Sequence, residues 1–311
     1  MYKNQNKITA EFKWGLRAAW LIGLLAVAGW ILMFRFELPE DFLLAVIMTA
    51  GTCAYTVLSL LIIRRHPRHT IGWLFILTGS SGSLIIFVAG LFAWGAQWDS
   101  VLAQQLITWL DLQVQNPWTI IPISLVLLYF PDGHLPTPRW KPVMIIVLIS
   151  IFNNQASPAF TPWTGEYDRG PFNVDNPFEI AGSEIFFSGL VGTLFLGLTI
   201  VGIVGCLASV VVRLIRSKGA ERMQMKWLVY SAVVVISLIL TLLLLGVVDS
   251  EPEIMWYLTL SSPVLLALAI GIAILLYRLI DIDIIIRRSL QYGYLTITLG
   301  SVYLGIVFVL Q

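Results

Sequence analysis

The chain has 311 residues, is 58% hydrophobic and only 12% charged, and carries a net charge of +1. Soluble globular domains run at roughly a quarter charged, and a water-borne globule of this length could not hide so much apolar surface, so an integral membrane protein with the lipid bilayer as its partner is expected. The absence of a basic stripe argues against nucleic-acid binding, and the two cysteines, Cys53 and Cys206, lie inside apolar runs, where they read as small packing residues rather than a disulfide or metal framework.

Lys3, Lys7, Lys13 and Arg17 lead into the first apolar run, Leu16 to Phe34. That run exceeds a signal-peptide core of about 7–15 residues and ends in Phe34-Arg35-Phe36 rather than in small residues, so it reads as a retained span. At about 20 apolar residues per crossing, further spans are predicted over 42–63, 71–94, 106–130, 142–160, 185–212, 227–248, 257–277 and 290–310. The third carries Gly79-Ser80-Ser81-Gly82-Ser83, which suits close helix packing. Residues 97–115 hold Trp98, Leu102, Leu106, Trp109 and Leu110 at helical spacing with Asp99 and Asp111 between them. They either lie in the membrane interface or extend the fourth helix outward, and that helix is expected to bend at Pro117 and Pro122. The fifth segment is interrupted by Asn153-Asn154-Gln155.

Charge placement decides whether that fifth segment crosses. With a cytoplasmic N-terminus, the inside segments hold Lys3, Lys7, Lys13 and Arg17; Arg64, Arg65 and Arg68; Arg139 and Lys141; Arg213, Arg216, Lys218, Arg222 and Lys226; and Arg278, Arg287 and Arg288. That is 17 of the 19 basic residues, with only Arg35 and Arg169 outside. Removing the fifth crossing would reverse every later loop and break the positive-inside bias. The predicted fold class is therefore all-α, a single transmembrane domain over 1–311 built as a polytopic bundle of about nine helices.

The span centres contain no Asp, Glu, Lys, Arg or His, which argues against ion coupling. There is no phosphate-binding Gly-rich loop, nucleophile elbow or paired-His metal motif, so no catalytic residue, metal or cofactor is assigned and no enzyme is predicted. Asn153, Asn154 and Gln155 run into the longest outside loop, 161–183, which contains Trp163, Glu166, Tyr167 and Asp168. These seven residues form either the candidate ligand site at the outer mouth of the bundle or an interfacial aromatic belt with ordinary loop polar groups. On the inside face, Arg222, Lys226, Arg278, Asp281, Asp283, Arg287 and Arg288 are the candidate signal-coupling residues. Their plainer role is to anchor topology against anionic headgroups.

Four inside segments carry ordered motifs: His66-Pro67 with Ile71-Gly72-Trp73-Leu74; Phe130-Pro131-Asp132-Gly133-His134-Leu135-Pro136 with Arg139-Trp140; Glu221-Arg222-Met223-Gln224-Met225-Lys226-Trp227; and Tyr277-Arg278-Leu279-Ile280-Asp281-Ile282-Asp283 with Arg287-Arg288, followed by Tyr303-Leu304-Gly305. In this order they resemble the multi-helix membrane-sensor region of bacterial sensor histidine kinases, from about residue 64 onward. The resemblance implies the sensory input module of a two-component signalling protein in the bacterial plasma membrane. It also implies a homodimer and a kinase effector, separate or missing. In that family a further helix and a kinase region normally follow. Here an apolar helix runs to Gln311, and with an odd number of spans the chain is expected to be cut short. The phosphorylatable His and nucleotide-binding motifs are absent, so kinase activity is not carried over, and His66, His69 and His134 sit in short loops. The competing reading is a transporter or transporter subunit for a small, mostly apolar solute.

Overall fold

The computed structural model describes residues 2–36, 42–163, 172–187, 189–219, 222, 225–231 and 252–277. Every regular element among them is helical: α1 (Tyr2–Phe36), α2 (Phe42–Arg65), α3 (Thr70–Gly95), α4 (Val101–Ile121), a π-helical turn over Pro122–Val126, α5 (Leu127–Tyr129), α6 (Lys141–Phe160), the short α7 (Glu184–Phe187), α8 (Gly189–Arg216) and α9 (Pro252–Tyr277). Among the described residues, five stretches are long and apolar enough to cross a membrane, Ala10–Phe36, Phe42–Arg65, Thr70–Gly95, Pro138–Phe160 and Gly189–Arg216. Their outer faces agree: Trp20, Leu24, Ile31, Phe152, Leu190 and Ile215 are all more than half exposed. Such an array of large apolar side chains has no stable place in water but is ordinary against lipid tails.

α3 is the hub, packed against α1, α2 and α4, while α6 packs on α8, and α9 on α2 and α4. Its small residues explain why. A Cβ on Gly90 would lie 2.6 Å from the Gly29 carbonyl oxygen, so α1 and α3 touch backbone to backbone. Gly51 and Gly82 form a shelf against the Trp118 indole, which is fully buried between α2 and α3. Tyr55 sets its ring edge-on to Trp118 and Phe75, at centroid distances of 5.8 and 5.2 Å. The polar tips of both aromatics tie down α9: Tyr55 Oη donates to the Pro263 carbonyl at 2.6 Å, and Trp118 Nε1 to that of Leu260 at 2.7 Å.

Residues 97–115 resolve in favour of a helix, since α4 begins at Val101 with Ser100 accepting from the Ala103 amide. The polar triplet does not break α6, which runs unbroken through Asn153-Asn154-Gln155. Prolines inside both helices explain what these amides do. Pro117 has no N–H, so the carbonyl four residues earlier, on Gln113, loses its helical donor. Gln155 Nε2 from α6 donates to that carbonyl at 2.6 Å. Pro158 likewise frees the carbonyl of Asn154, and Asn116 Nδ2 from α4 donates to it at 2.8 Å. Each helix thus repairs the other's proline defect. Of the spans predicted at 227–248 and 290–310, the second and most of the first lie outside the described residues.

The clamp makes a specific prediction. Gln155→Leu should cost about 1–3 kcal/mol by stranding the Gln113 carbonyl, and adding Pro117→Ala, which restores the missing N–H, should recover much of the loss. Thermal unfolding in detergent reads both. A double variant that unfolds earlier than Gln155→Leu alone would rule the repair out.

Candidate functional site

The bundle has two chemically distinct ends. At the first, which we call the basic end, the α2–α3 connection, the turn after α5 and the end of α8 meet. Arg213 lies in the last turn of α8 and is only 7% exposed. Its guanidinium donates to the Asp132 carboxylate, to the His134 carbonyl and, at 3.3 Å, to the Leu128 carbonyl. Leu128 sits in the last turn of the α4–α5 rod, whose terminal carbonyls have no helical donor. A planar fork with five donors suits this task better than an ammonium group. Gly133 holds φ +76°, the left-handed conformation of a tight turn, and a Cβ there would lie 3.0–3.3 Å from three atoms of the His69 ring. His134 Nδ1 closes the turn on the Asp132 carbonyl at 2.8 Å.

His69 is half-buried with Nδ1 unpartnered. Burial pushes its imidazole below the ordinary histidine value, and His66 and His134 push the same way against the opposing pull of Asp132. The surface pair Arg68–Glu11, at 3.3 Å, ties the start of α1 to the same end.

At the opposite, aromatic end the terminal carbonyls of α6 are satisfied by side chains. Trp163 Nε1 donates to the Pro158 carbonyl at 3.0 Å and Trp109 Nε1 to that of Ala159 at 3.1 Å. The buried Asn176 donates to the carbonyls of Ala159 and Thr161 at 3.2 and 2.8 Å. Phe172 packs against Phe92, and Phe178 against Trp109.

Between α4, α6 and α9, beside the proline clamp, lies a cavity of about 390 Å³, within the roughly 300–1,000 Å³ range of small-molecule sites. Gln115, Asn116 and Thr119 supply one wall, Asn153, Asn154 and Ser157 a second, and Thr259 and Leu260 a third, with Trp163 at its edge. Of the seven residues singled out as a ligand site, the fold therefore brings Asn153, Asn154 and Trp163 onto one cavity. Gln155 faces the Gln113 backbone instead, and Glu166, Tyr167 and Asp168 lie outside the described residues. Asn153 stands apart: its Oδ1 is buried with no hydrogen-bond partner. The cavity wall from α4, and Thr259 on α9, carried no signal in the sequence, because each is a common helix residue until the helices pack.

Of the candidate coupling residues, Arg222 and Lys226 are exposed, in helical chain a few residues beyond Arg213, while Arg278, Asp281, Asp283, Arg287 and Arg288 lie outside the described residues. Arg213 itself was missed. Counted as one more inside charge, it is in fact the buried centre of the basic end. Among the described residues no group of three His, Cys, Asp or Glu side chains is placed to hold a metal. Cys206 is buried, Cys53 exposed, and both are free thiols.

No family model, curated protein or solved structure matches the chain.

Two outcomes follow from the basic end. Asp132 is 62% exposed, so Asp132→Asn should cost no more than about 1 kcal/mol. Arg213→Met strands buried carbonyls and should cost about 3 kcal/mol; equal losses in denaturant unfolding would contradict this geometry. For His69, the folded state takes up a proton less readily than the unfolded chain. Its contribution is therefore full above the unfolded value of about 6.5 and is lost as pH falls through that value towards the lower folded one. The melting temperature should drop from pH 7 to pH 5, and His69→Gln should flatten the drop; an unchanged slope would remove His69 as its source.

Proposed function

We propose that this chain is the membrane-embedded input module of a two-component-type signalling protein, with about nine crossings and its N-terminus in the cytoplasm of a bacterial cell. One observation carries the reading. A single helical rod, α4 through Tyr129, forms a wall of the polar cavity at one end and finishes at the other in the turn held by Arg213. Between the cavity and that turn lies the π-helical turn Pro122–Val126, where one extra residue is accommodated in the helix. Such turns recur at functional sites. A ligand that binds better to one register of that turn than to the other shifts the population of both. The shift would reach the Asp132 turn, and through Arg213 the exposed Arg222 and Lys226. The motif order of the inside segments supports the same family of function, and with it a homodimer and a kinase effector as partners.

A second reading, a transporter for a small solute, is favoured by one feature: each of the three continuous helices that enclose the cavity carries an internal proline, Pro117, Pro158 or Pro263, which leaves one backbone carbonyl per helix without its helical donor.

Hydrogen exchange in proteoliposomes separates these. Thr119→Trp fills the cavity. As an input module, the variant should change amide exchange over residues 130–137 at least threefold, while Phe152→Trp, on the exposed face of α6, should not. Unchanged exchange in a folded Thr119→Trp protein would remove the signalling reading. Paired reporters inserted after Asp99 and after Pro136 should report outside and inside respectively; the reverse pattern would overturn the proposed orientation.

A further inference from the structure

The cavity's chemistry narrows what it takes. Three of the four amides on its walls, those of Gln115, Asn116 and Asn154, have their NH₂ group engaged by an acceptor of the protein. Gln115 Nε2 donates to the Asp111 carboxylate at 2.6 Å, Asn116 Nδ2 to the Asn154 carbonyl at 2.8 Å, and Asn154 Nδ2 to the Ser150 carbonyl at 2.8 Å. Those partners are pure acceptors, so the orientation of each amide is determined: nitrogen towards the partner, oxygen away from it. The side-chain oxygens of Gln115, Asn116 and Asn154 are left open. The hydroxyl hydrogens of Thr119 and Thr161 are spent on helical carbonyls of Asn116 and Ser157, and the Trp163 N–H on Pro158. What remains is rich in oxygen lone pairs, and its donors are one further N–H on each of those three amides, the Asn153 NH₂ and the Ser157 hydroxyl.

Asn153 adds a separate observation. Its buried, unpartnered Oδ1 is costly where it stands, and turning it towards an entering donor relieves that cost. Among the described residues no cationic side chain lines the cavity, while Leu112, Leu260, Pro158 and Trp163 give it an apolar part. A hydroxyl ligand would bring lone pairs that this lining has few donors to meet. An ammonium group brings three donors and no acceptor.

We propose that this cavity binds a small organic ammonium compound, its charged head among the oxygens of Gln115, Asn116, Asn153 and Asn154 and its apolar part against Leu112, Leu260 and Trp163. The proposal rests on reading the cavity as the input site, and it names the class of input.

Three probes with the same ring decide it: tyramine, tyrosol and 4-hydroxyphenylacetate, which end in an ammonium, a hydroxyl and a carboxylate. Calorimetric titration of the full chain in nanodiscs should show tyramine binding at least tenfold more tightly than tyrosol, with no binding of the carboxylate. Asn153→Leu removes a side chain for which no hydrogen bond is seen among the described residues, so the variant should fold and bind tyramine about tenfold more weakly. Asn153→Asp should bind it more tightly. Equal affinity for tyramine and tyrosol, no tyramine binding at all, or unchanged affinity in both Asn153 variants would overturn the assignment. Tyramine binding without altered exchange over residues 130–137 would leave the ligand class standing and remove the signalling reading. Altered exchange in Thr119→Trp without tyramine binding would do the reverse.

Discussion

The arrangement of this protein hangs on two carbonyl groups that its own prolines have stripped of their donors. Inside a bilayer, water is not at hand to satisfy a stranded backbone oxygen, so a proline in a spanning helix creates an obligation that a neighbour must meet. Pro158 creates one in α6, one of the five described helices apolar enough to cross, Pro117 creates its counterpart in the adjoining α4, and Asn116 and Gln155 meet them across the same helix pair. The exchange fixes α4 against α6 in both height and rotation, because a slip by one residue would misplace both donors at once. It also accounts for the cavity. Two helices held by amides rather than by interlocked aliphatic side chains leave polar groups and open space beside the contact, and α9 closes the third side through Thr259 and Leu260.

The basic end follows a different economy. Buried charge in a low-dielectric setting is costly unless it is paired and bonded, and Arg213 spreads its two terminal nitrogens over one carboxylate and two backbone carbonyls while its Nε has no partner. Asp132 remains largely in solvent, so the pair is asymmetric: the cation is structural, and the anion is reachable. The same turn brings three imidazoles together. His66 and His69 have ring centroids 6.3 Å apart, and His134 closes the turn beside them.

Much of this was legible before any coordinates, and the limits are instructive. Hydropathy marked the long helices, and the distribution of Lys and Arg argued that residues 142–160 cross despite Asn153-Asn154-Gln155; α6 is indeed continuous there. The proline arithmetic was also available, since a proline at position i strands the carbonyl at i−4 in any helix. Its repair was not, because only the packing of α4 on α6 decides that Gln155 reaches Gln113 while Asn153 is left unpaired. Arg213 illustrates the opposite error. Charge counting treats every basic residue near a helix end as wet, whereas its surroundings are set by a turn some 80 positions earlier in the chain.

The contact at Gly29 and Gly90 also bears on how the protein is made. α1 rests mainly on α3, not on its neighbour in sequence, α2. α1 leaves the ribosome before α3 and therefore cannot complete its packing until α3 has been synthesised. Through that interval α1 is held in the bilayer by its own hydrophobicity, beside a groove whose far wall does not yet exist. Biogenesis here has an order built into two residues without side chains.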